Sequence, residues 1–197
     1  MAKVYVTTPI TREQLAQIKA GDEVIISGEI YTARDAAHKR MVEDLAAGKA
    51  LAFDPKGAVI YYVGPTPPKP GQALGSAGPT TSYRMDKYTP EMLKQGVAAV
   101  IGKGYRGDEV KEALVKFGGI YLVSTGGAGA LLAKRIEAAE VIAYDDLGAE
   151  AIRRLRVSEF PTVCIHDVYG GDQYFNGQSQ WVKPDAMFKP KKPVAGE

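Results

Sequence analysis

The stretch VAAVIGKGYRGDEVKEALVKFGGIYLVSTGGAGALLAKRIEAAEVIAYD, residues 97–145, alternates between short apolar runs and amphipathic segments. The apolar runs are predicted as strands because they are rich in β-branched residues and bounded by glycines, and the amphipathic segments are predicted as helices. Strands that alternate with helices are typical of βαβ units, which build parallel sheets. We therefore expect an α/β fold with a mainly parallel sheet in this part of the chain.

The sequence before this stretch is predicted to contain three more strands and three helices. The strands are residues 4–10, 23–31 and 58–64, and the helices are TREQLAQIKAGD, TARDAAHKRMVEDLAAGK and PEMLKQG. The second helix should have Thr32 as its N-cap, with Asp35 three residues later as in a capping box. The loop TPPKPGQALGSAGPTT, residues 66–81, has no periodicity, and long loops of this kind in compact domains are often functional.

The sequence after residue 145 is predicted to form one helix and two short strands before its composition changes. AEAIRRLRVSEF, residues 149–160, is predicted as the helix, and PTVCIHDVYG and DQYF as the strands. From residue 183 onward the chain is rich in proline and lysine. We expect residues 1–182 to form one domain and residues 183–197 to form a C-terminal tail.

The composition excludes several classes of protein. A chain of 197 residues can bury one sizeable core, and its formal net charge of +2 gives no global field to attract nucleic acid. The single cysteine, Cys164, cannot form an internal disulfide or hold an iron–sulfur cluster, and His38 and His166 form no metal-ligand pattern. No window approaches the roughly 20 apolar residues of a membrane span. We therefore expect a cytoplasmic protein with no metal site of its own and no membrane or nucleic-acid partner.

The nonapeptide GPTTSYRMD, residues 78–86, concentrates polar groups behind a rigid turn. Pro79 fixes its own φ and restricts the residue before it, so Thr80 and Thr81 should be presented from a stiff loop. Arg84 adds a planar guanidinium that matches a carboxylate or phosphate at two points. The segment predicts an anion site, without choosing among phosphates, nucleotides and carboxylates.

A second basic segment, TARDAAHKR, should place Arg34 in the first turn of its helix and His38 one turn later on the same face. A cation near a helix N-terminus is unfavourable unless an anion lies above it. A bound anion or a neighbouring acidic side chain would each explain Arg34, and the sequence leaves both open. His38 fits a structural or hydrogen-bonding role better than proton transfer.

Two glycine-rich turns follow predicted strands. GKGYRGD, residues 102–108, places Lys103 and Arg106 at the carboxyl end of a strand, where open α/β sheets bind ligands, although a solvated turn is equally consistent. STGGAGALLAKRI, residues 124–136, is similar to a dinucleotide-binding turn, but Leu132 stands at the third glycine position. We favour tight strand-to-helix packing for this segment, with an anion pocket at the helix start as the alternative.

Six segments closely resemble the β subunit, or C-terminal domain, of class I fumarate hydratases. They are SGEIYTARDAAHKRM, YYVGPTPPKPG, GSAGPTTSYRMDKYTPEML, IGKGYRG, TGGAGALLAKRI and AYDDLGAEAIRRLRVSEFP. The resemblance covers residues 4–175. The related L-tartrate dehydratase β subunits share the Arg-Asp, Gly-Pro-Thr-Thr and Gly-Lys-Gly elements, so these motifs identify the family without settling the substrate. The SYRMDKYTP and GKGYRG segments are more similar to the fumarase branch.

The resemblance implies a reversible hydro-lyase of the tricarboxylic acid cycle that interconverts (S)-malate and fumarate as an assembly of two α and two β subunits. It implies a [4Fe-4S] cluster held by the α subunit and not by this chain, which agrees with the lone Cys164. The implied fold is a swivelling β/β/α domain that closes over the cluster. An L(+)-tartrate dehydratase β subunit and a non-catalytic anion-binding module are the alternatives.

The resemblance also implies roles for individual residues. Arg34 and Arg84 resemble the two family arginines that bind substrate carboxylates, and Lys103 resembles the lysine that completes the clamp. Thr80 resembles the threonine that acts as the base at malate C3, and Thr81 its neighbour that hydrogen-bonds the substrate. An unassisted threonine hydroxyl is a poor base, so a lowered pKa or a relay through an acid of the other subunit is implied. The residues expected to orient these groups are His38, Asp35 and Asp86.

Overall fold

A computed structural model describes residues 1–182 of the chain, and the predicted tail, residues 183–197, lies outside the described residues. The strands are β1 (Lys3–Thr7), β2 (Glu23–Thr32), β3 (Val59–Tyr61), β4 (Ala99–Gly102), β5 (Ile120–Val123), β6 (Ile136–Ala143) and β7 (Ile152–His166). The α-helices are α1 (Arg12–Gln17), α2 (Asp35–Ala46), α3 (Thr89–Gln95), α4 (Asp108–Phe117), α5 (Gly129–Ala133) and α6 (Gln173–Ser179). Two short 3₁₀ helices are Ser82–Met85 and Asp145–Glu150.

Five strands of one mixed sheet form a closed, barrel-like ring. Strands β2, β3, β4 and β5 pair in parallel in that order. Strand β7 is antiparallel to both β5 and β2, so it joins the two ends of the parallel set. Strand β1 extends β2 in parallel, and β6 extends β7 antiparallel. The expected α/β class is confirmed, with an antiparallel strand closing a parallel set.

The central strands are apolar on both faces because both faces are covered. Val59, Tyr61 and Ile101 pack with alternate residues of the other ring strands in one buried cluster. Their neighbours along the same strands, such as Ile60 and Val100, pack in a second cluster with helices α2, α3 and α4. This double burial explains why β3, β4 and β5 read as continuous apolar runs in the sequence.

The helix predicted at residues 149–160 is wrong, since residues 152–160 belong to the 15-residue strand β7, Ile152–His166. Its apolar residues alternate across the strand, with Leu155 and Val157 buried on one face. The arginines between them face outward and pair with glutamates of β6, as in the Arg154–Glu140 contact at 2.6 Å. The charged residues that suggested a solvated helix face are cross-strand ion pairs on a sheet.

Three further predictions differ from the structure. DQYF begins helix α6 instead of forming a strand, because the carboxylate of Asp172 accepts a hydrogen bond from Phe175 N–H and caps the helix. AGALLAKRIEAA, residues 128–139, is one of the amphipathic segments within residues 97–145 that are predicted as helices, but only Gly129–Ala133 form a helix, α5, and β6 begins at Ile136. Since β6 pairs antiparallel with β7, the predicted βαβ pattern ends at β5.

Thr32 is not the N-cap of α2. It is the last residue of β2, and its buried hydroxyl donates to the Ala151 carbonyl and accepts a hydrogen bond from Arg153 N–H. Helix α2 instead has Arg34 as its N-cap, without a capping hydrogen bond from the Arg34 side chain. Within residues 1–182, no helix has the length and apolar character needed to cross a bilayer.

Candidate functional site

The candidate binding residues lie at one edge of the parallel strands. Because β2, β3, β4 and β5 are parallel neighbours, their carboxyl ends meet at the same edge of the sheet. Arg34 follows the end of β2, Lys103 follows β4, and Thr80 and Thr81 lie beside the ends of β3 and β4. The sequence predicts this location for Lys103, and in the structure Arg34, Thr80 and Thr81 lie at the same edge.

The segment of residues 80–82 is inserted between the ends of β3 and β4. Thr80 N–H donates to the Tyr62 carbonyl at 2.7 Å, and Lys103 N–H donates to the Thr80 carbonyl at 3.2 Å. Ser82 N–H donates back to the Lys103 carbonyl at 2.9 Å. The stiff loop predicted from Pro79 is present, and these bonds on both sides fix its backbone.

The part of the loop before Thr80 is anchored on helix α5. Tyr61 Oη donates to the Ala77 carbonyl at 2.6 Å, and Ala77 N–H donates to the Gly129 carbonyl at 3.0 Å. A Cβ atom on Gly129 would lie 2.8 Å from the backbone nitrogen of Gly78. The glycine at the start of α5 therefore permits close packing of the loop against this helix, whereas the sequence predicts tight packing of a strand against it.

Asp35 connects the two arginines of the predicted clamp. Its Oδ1 lies 2.9 Å from Arg84 Nε in an ion pair, and its Oδ2 lies 3.8 Å from Arg34 Nε. Arg34 Nε and Asp35 Oδ2 are both buried and have no hydrogen-bond partner among the described residues. One carboxylate thus lies beside both guanidinium groups, and the orienting role of Asp35 stays a prediction.

Glu150 is a member of the cluster that the sequence analysis missed. Its Oε1 lies 3.5 Å from an Arg34 terminal nitrogen, and its Oε2 accepts a hydrogen bond from Ala36 N–H at 2.9 Å. The second contact satisfies a free N–H at the start of α2 and places negative charge there. Acidic side chains therefore lie beside Arg34, which was one of the two explanations left open. No short-range pattern links Glu150 to Arg34, because they are far apart in the sequence.

Arg84 and Lys103 face solvent at this edge. The Arg84 side chain is 44% exposed, and Lys103 is also exposed. The Lys103 stem runs past the turn after β5, since a Cβ atom on Gly126 would lie 3.5 Å from Lys103 Cδ. Both cations are therefore accessible to an incoming anion, whereas Arg34 is more enclosed.

His38 is fully buried behind this edge. Its Nδ1 donates to the Arg34 carbonyl at 2.9 Å, and its ring packs edge-on against Tyr62 with centroids 5.2 Å apart. Burial lowers the pKa of His38 to about 4, so the imidazole is neutral at physiological pH. Its contacts fit the predicted supporting role, in which it holds the backbone of Arg34.

The buried His38 should make the stability of the protein fall in acid. Its pKa is about 4 when folded and about 6.5 when exposed, so between these values only the unfolded chain binds the proton. The free energy of unfolding should therefore decrease by about 3 kcal/mol as the pH falls from 6.5 to 4. Urea unfolding between pH 4 and 7 measures this slope, which should be reduced in His38→Gln. Equal slopes in the two proteins would show that His38 is not the group responsible.

Asp86 pairs with Arg106, and not with either of the clamp arginines, Arg34 and Arg84, that it was expected to orient. Its carboxylate accepts from Arg106 Nε at 2.7 Å and from Gly107 N–H at 2.6 Å. The Arg106 side chain is fully buried, so it does not belong to the exposed basic loop in which the sequence analysis placed it. Aromatic rings and a carboxylate around Arg106 replace the expected solvent or ligand.

Residues 1–182 contain no group of three or more His, Cys, Asp or Glu side chains that could hold a metal ion. Cys164 is buried, and burial raises the pKa of its thiol, which disfavours the thiolate that a metal would require.

A cavity of about 760 Å³ lies beside the turn after β5 and is lined by residues such as Ser124, Thr125 and Leu131, but by none of the predicted site residues. The predicted site residues thus lie at the strand edge and do not line this cavity, and Arg84 and Lys103 are exposed there.

The site residues lie within a match to a known protein family. The family model described as Fumarase C-terminus matches residues 1–177. The chain belongs to the fumarase C-terminus family. The resemblance noted in the sequence is thereby confirmed at the level of the family. The roles of Thr80, Thr81, Arg34, Arg84 and Lys103 within this fumarase domain stay predictions.

Relatives in this fumarase family include both long and short chains. The chain is 39% identical over 176 residues to fumarate hydratase 2 of Leishmania major, covering 87% of this chain and 31% of the relative. It is 38% identical over 161 residues to the aerobic class I fumarate hydratase of Escherichia coli strain K12, covering 81% and 29%. The putative L(+)-tartrate dehydratase subunit beta of Methanocaldococcus jannaschii is 35% identical over 176 residues, covering 86% and 90%. The chain thus spans under a third of these fumarate hydratases but most of the tartrate dehydratase subunit.

Proposed function

We propose that this chain is the β subunit of an iron–sulfur-dependent hydro-lyase that reversibly hydrates fumarate to (S)-malate. The observation that carries the proposal is the pair Arg34 and Arg84 beside the carboxylate of Asp35, at the same strand edge as Lys103. Three cations are suited to a substrate with two carboxylates. Among the anions that the sequence leaves open, membership of the fumarase C-terminus family supports a small dicarboxylate.

A partner α subunit completes the enzyme in this proposal, and two observations support such a partner. The relatives named fumarate hydratase are more than three times the length that matches this chain, and a relative named subunit beta matches over 90% of its length. The exposed edge formed by Arg84 and Lys103 supports a site completed by another surface. We infer a cytoplasmic assembly of two α and two β subunits.

The [4Fe-4S] cluster of this enzyme is assigned to the α subunit. The residues present here do not fit such a group, since residues 1–182 hold no metal-binding cluster of side chains and burial raises the pKa of the Cys164 thiol. This chain therefore contributes charged and hydrogen-bonding groups to the reaction. The swivelling β/β/α arrangement implied by the resemblance would bring its open edge against the α subunit.

The cations of this chain act on the charge that develops during dehydration. Removing the proton from malate C3 shifts electron density onto the adjacent carboxylate, and Arg34, Arg84 and Lys103 stabilise that charge. Asp35 and Glu150 hold the guanidinium groups near their working positions before substrate arrives. Closure against the partner excludes water and strengthens each of these interactions.

Thr80 is the proposed base, and Thr81 the neighbouring hydroxyl that hydrogen-bonds the substrate. The backbone of Thr80 is fixed by its bonds to Tyr62 and Lys103, so its side chain is presented from a rigid position beside Lys103. A threonine hydroxyl needs help to accept a proton, and an acidic residue of the α subunit is proposed to relay it.

An activity assay of the assembled enzyme tests this function. The purified chain is combined with its α subunit, the cluster is rebuilt without oxygen, and fumarate loss is followed by ultraviolet absorbance or by chromatography. Hydration of fumarate to (S)-malate is the expected result. Turnover of L(+)-tartrate alone would assign the chain to the sister enzyme, and dicarboxylate binding without turnover would make it an anion-binding module.

Gly64→Ala should weaken the clamp without unfolding the protein. A Cβ atom at residue 64 would lie 2.7 Å from a terminal nitrogen of Arg34, and the flexible guanidinium would move away. A displacement of about 1 Å at a positioning group can reduce kcat/KM roughly 10- to 100-fold. Steady-state kinetics and thermal unfolding measure the two effects, with the melting temperature expected to stay within about 2 °C of the wild type.

The matched control for this change is Gly177→Ala in helix α6. The nearest atom to a Cβ there is Gln173 Nε2 at 3.6 Å, an ordinary contact. Its kinetic constants should equal those of the wild type. Wild-type kinetics in Gly64→Ala would show that the position of Arg34 does not limit the reaction.

A further inference from the structure

A fully buried arginine lies directly behind the candidate site. Arg106 Nε donates to Asp86 Oδ1 at 2.7 Å, and its terminal nitrogen donates to Thr89 Oγ1 at 2.6 Å. The guanidinium carbon lies 5.5 Å from the centre of the Tyr62 ring and 4.9 Å from that of Tyr121. The side chain is enclosed by the fold and does not reach an outside ligand.

The partners of Arg106 belong to the segments that carry the proposed substrate cations. Asp86 follows the 3₁₀ helix that contains Arg84, whereas Arg106 belongs to the loop that begins with Lys103. The same Asp86 carboxylate also accepts from Gly107 N–H at 2.6 Å. The ion pair therefore fastens the segment of Arg84 to the loop of Lys103.

A second set of bonds fixes the other end of this junction. Ser82 Oγ accepts from Lys103 N–H at 3.0 Å and from Tyr121 Oη at 2.9 Å. Tyr121 Oη also lies 2.8 Å from the Gly104 carbonyl. The Ser82 contacts hold the two segments together where they begin, and the Asp86–Arg106 pair holds them together where they end.

A buried ion pair is a weak source of stability, because taking two charges out of water offsets much of their attraction. One Arg106 nitrogen is buried without a hydrogen-bond partner among the described residues, which further reduces the stabilising free energy of the pair. The forked guanidinium does have a geometric effect that an ammonium cannot reproduce, since it reaches Asp86 and Thr89 at once in fixed directions.

We propose that Arg106 is a positioning residue that sets the spacing between Arg84 and Lys103, and hence the fit of the site to a dicarboxylate. The proposal rests on the proposed function and deepens it. Arg106 does not touch substrate. It acts through Asp86 on one substrate cation and through its own loop on the other.

The test compares Arg106→Lys with the wild type in the assembled enzyme. Lysine retains the charge but loses the fork, so it can satisfy Asp86 or Thr89 and not both in the same geometry. The KM for fumarate should rise at least about 10-fold and kcat should fall by a smaller factor, because the cations bind the substrate carboxylates before the reaction and also stabilise the charge that develops on one of them. The matched control is Arg135→Lys, which keeps an exposed pair with Glu159 and should leave both constants unchanged.

Hydrogen exchange in the full-length β chain gives a readout that does not need activity. Arg106→Lys should exchange the amides of Ser82, Lys103 and Gly107 at least 10-fold faster, with the amides of β2 and β7 unchanged. A merely structural role would instead speed exchange throughout the chain and lower the apparent kcat through loss of folded enzyme, with KM unchanged. Unchanged KM and unchanged exchange at these amides would overturn the proposal. A wild-type assembly that does not hydrate fumarate would overturn the proposed function, whereas the exchange result would still decide whether Arg106 fastens the two segments.

Discussion

Gly102→Ala is expected to destabilise the protein by roughly 3–5 kcal/mol, adding about 2 kcal/mol for overpacking to the loss of a buried hydrogen bond. A Cβ atom at residue 102 would collide with Ser82 Oγ and lie 3.1 Å from the Tyr62 ring. Ser82 cannot turn away freely, because its hydroxyl holds Lys103 N–H and Tyr121 Oη. Thermal unfolding should show a melting temperature about 10 °C below that of the wild type.

The control for this change is Gly126→Ala at the end of the next strand. There the nearest atom to a Cβ is Lys103 Cδ at 3.5 Å, so the added methyl group fits without displacement. Its melting temperature should stay within about 2 °C of the wild type. A similarly small shift in Gly102→Ala would mean that Ser82 moves without cost and that its hydrogen bonds do not stabilise the junction.

The parallel half of the fold was predictable because local patterns and tertiary contacts agree there. The runs that became β3, β4 and β5 are apolar on both faces, and helix α4 ends at Gly118, whose left-handed conformation favours glycine. The prediction failed at β7, where arginines and glutamates suggest a solvated helix when read alone. Their partners on β2 and β6 are distant in sequence, so only pairing in the fold identifies them as a strand.

The candidate site was predictable where a short motif carried it. Pro79 and the residues after it indicated a stiff anion-binding loop, and the structure places that loop beside Lys103. The contacts of Glu150 and Arg106 were not predictable in this way. Glu150 meets Arg34 only because β7 and the turn before it close the ring, and Arg106 is buried although it lies in a glycine-rich loop that suggests exposure. Contacts between segments that are distant in sequence therefore determine which charged side chains are buried inside the fold or paired beside the site.

Thr80→Val is expected to lower kcat by about 1,000-fold in the assembled enzyme, within the range for removing a general base. Valine nearly preserves the shape of threonine and removes only the hydroxyl. The backbone bonds of Thr80 to Tyr62 and Lys103 do not involve its side chain, so the loop should keep its position. The KM for fumarate should therefore change by less than about 3-fold, since the arginines and Lys103 carry ground-state binding.

Thr7→Val on the exposed strand β1 is the matched control, and its kinetics should equal those of the wild type.

Steady-state assays in both reaction directions separate the possible roles of Thr80. A loss of kcat alone in both directions fits a group that moves the C3 proton, because the same group must act in hydration and dehydration. A rise in KM with kcat retained would instead make Thr80 a binding hydroxyl, and the base would then lie on the α subunit. Activity within about 10-fold of the wild type would exclude Thr80 as the base, because a lost general base costs at least about 100-fold.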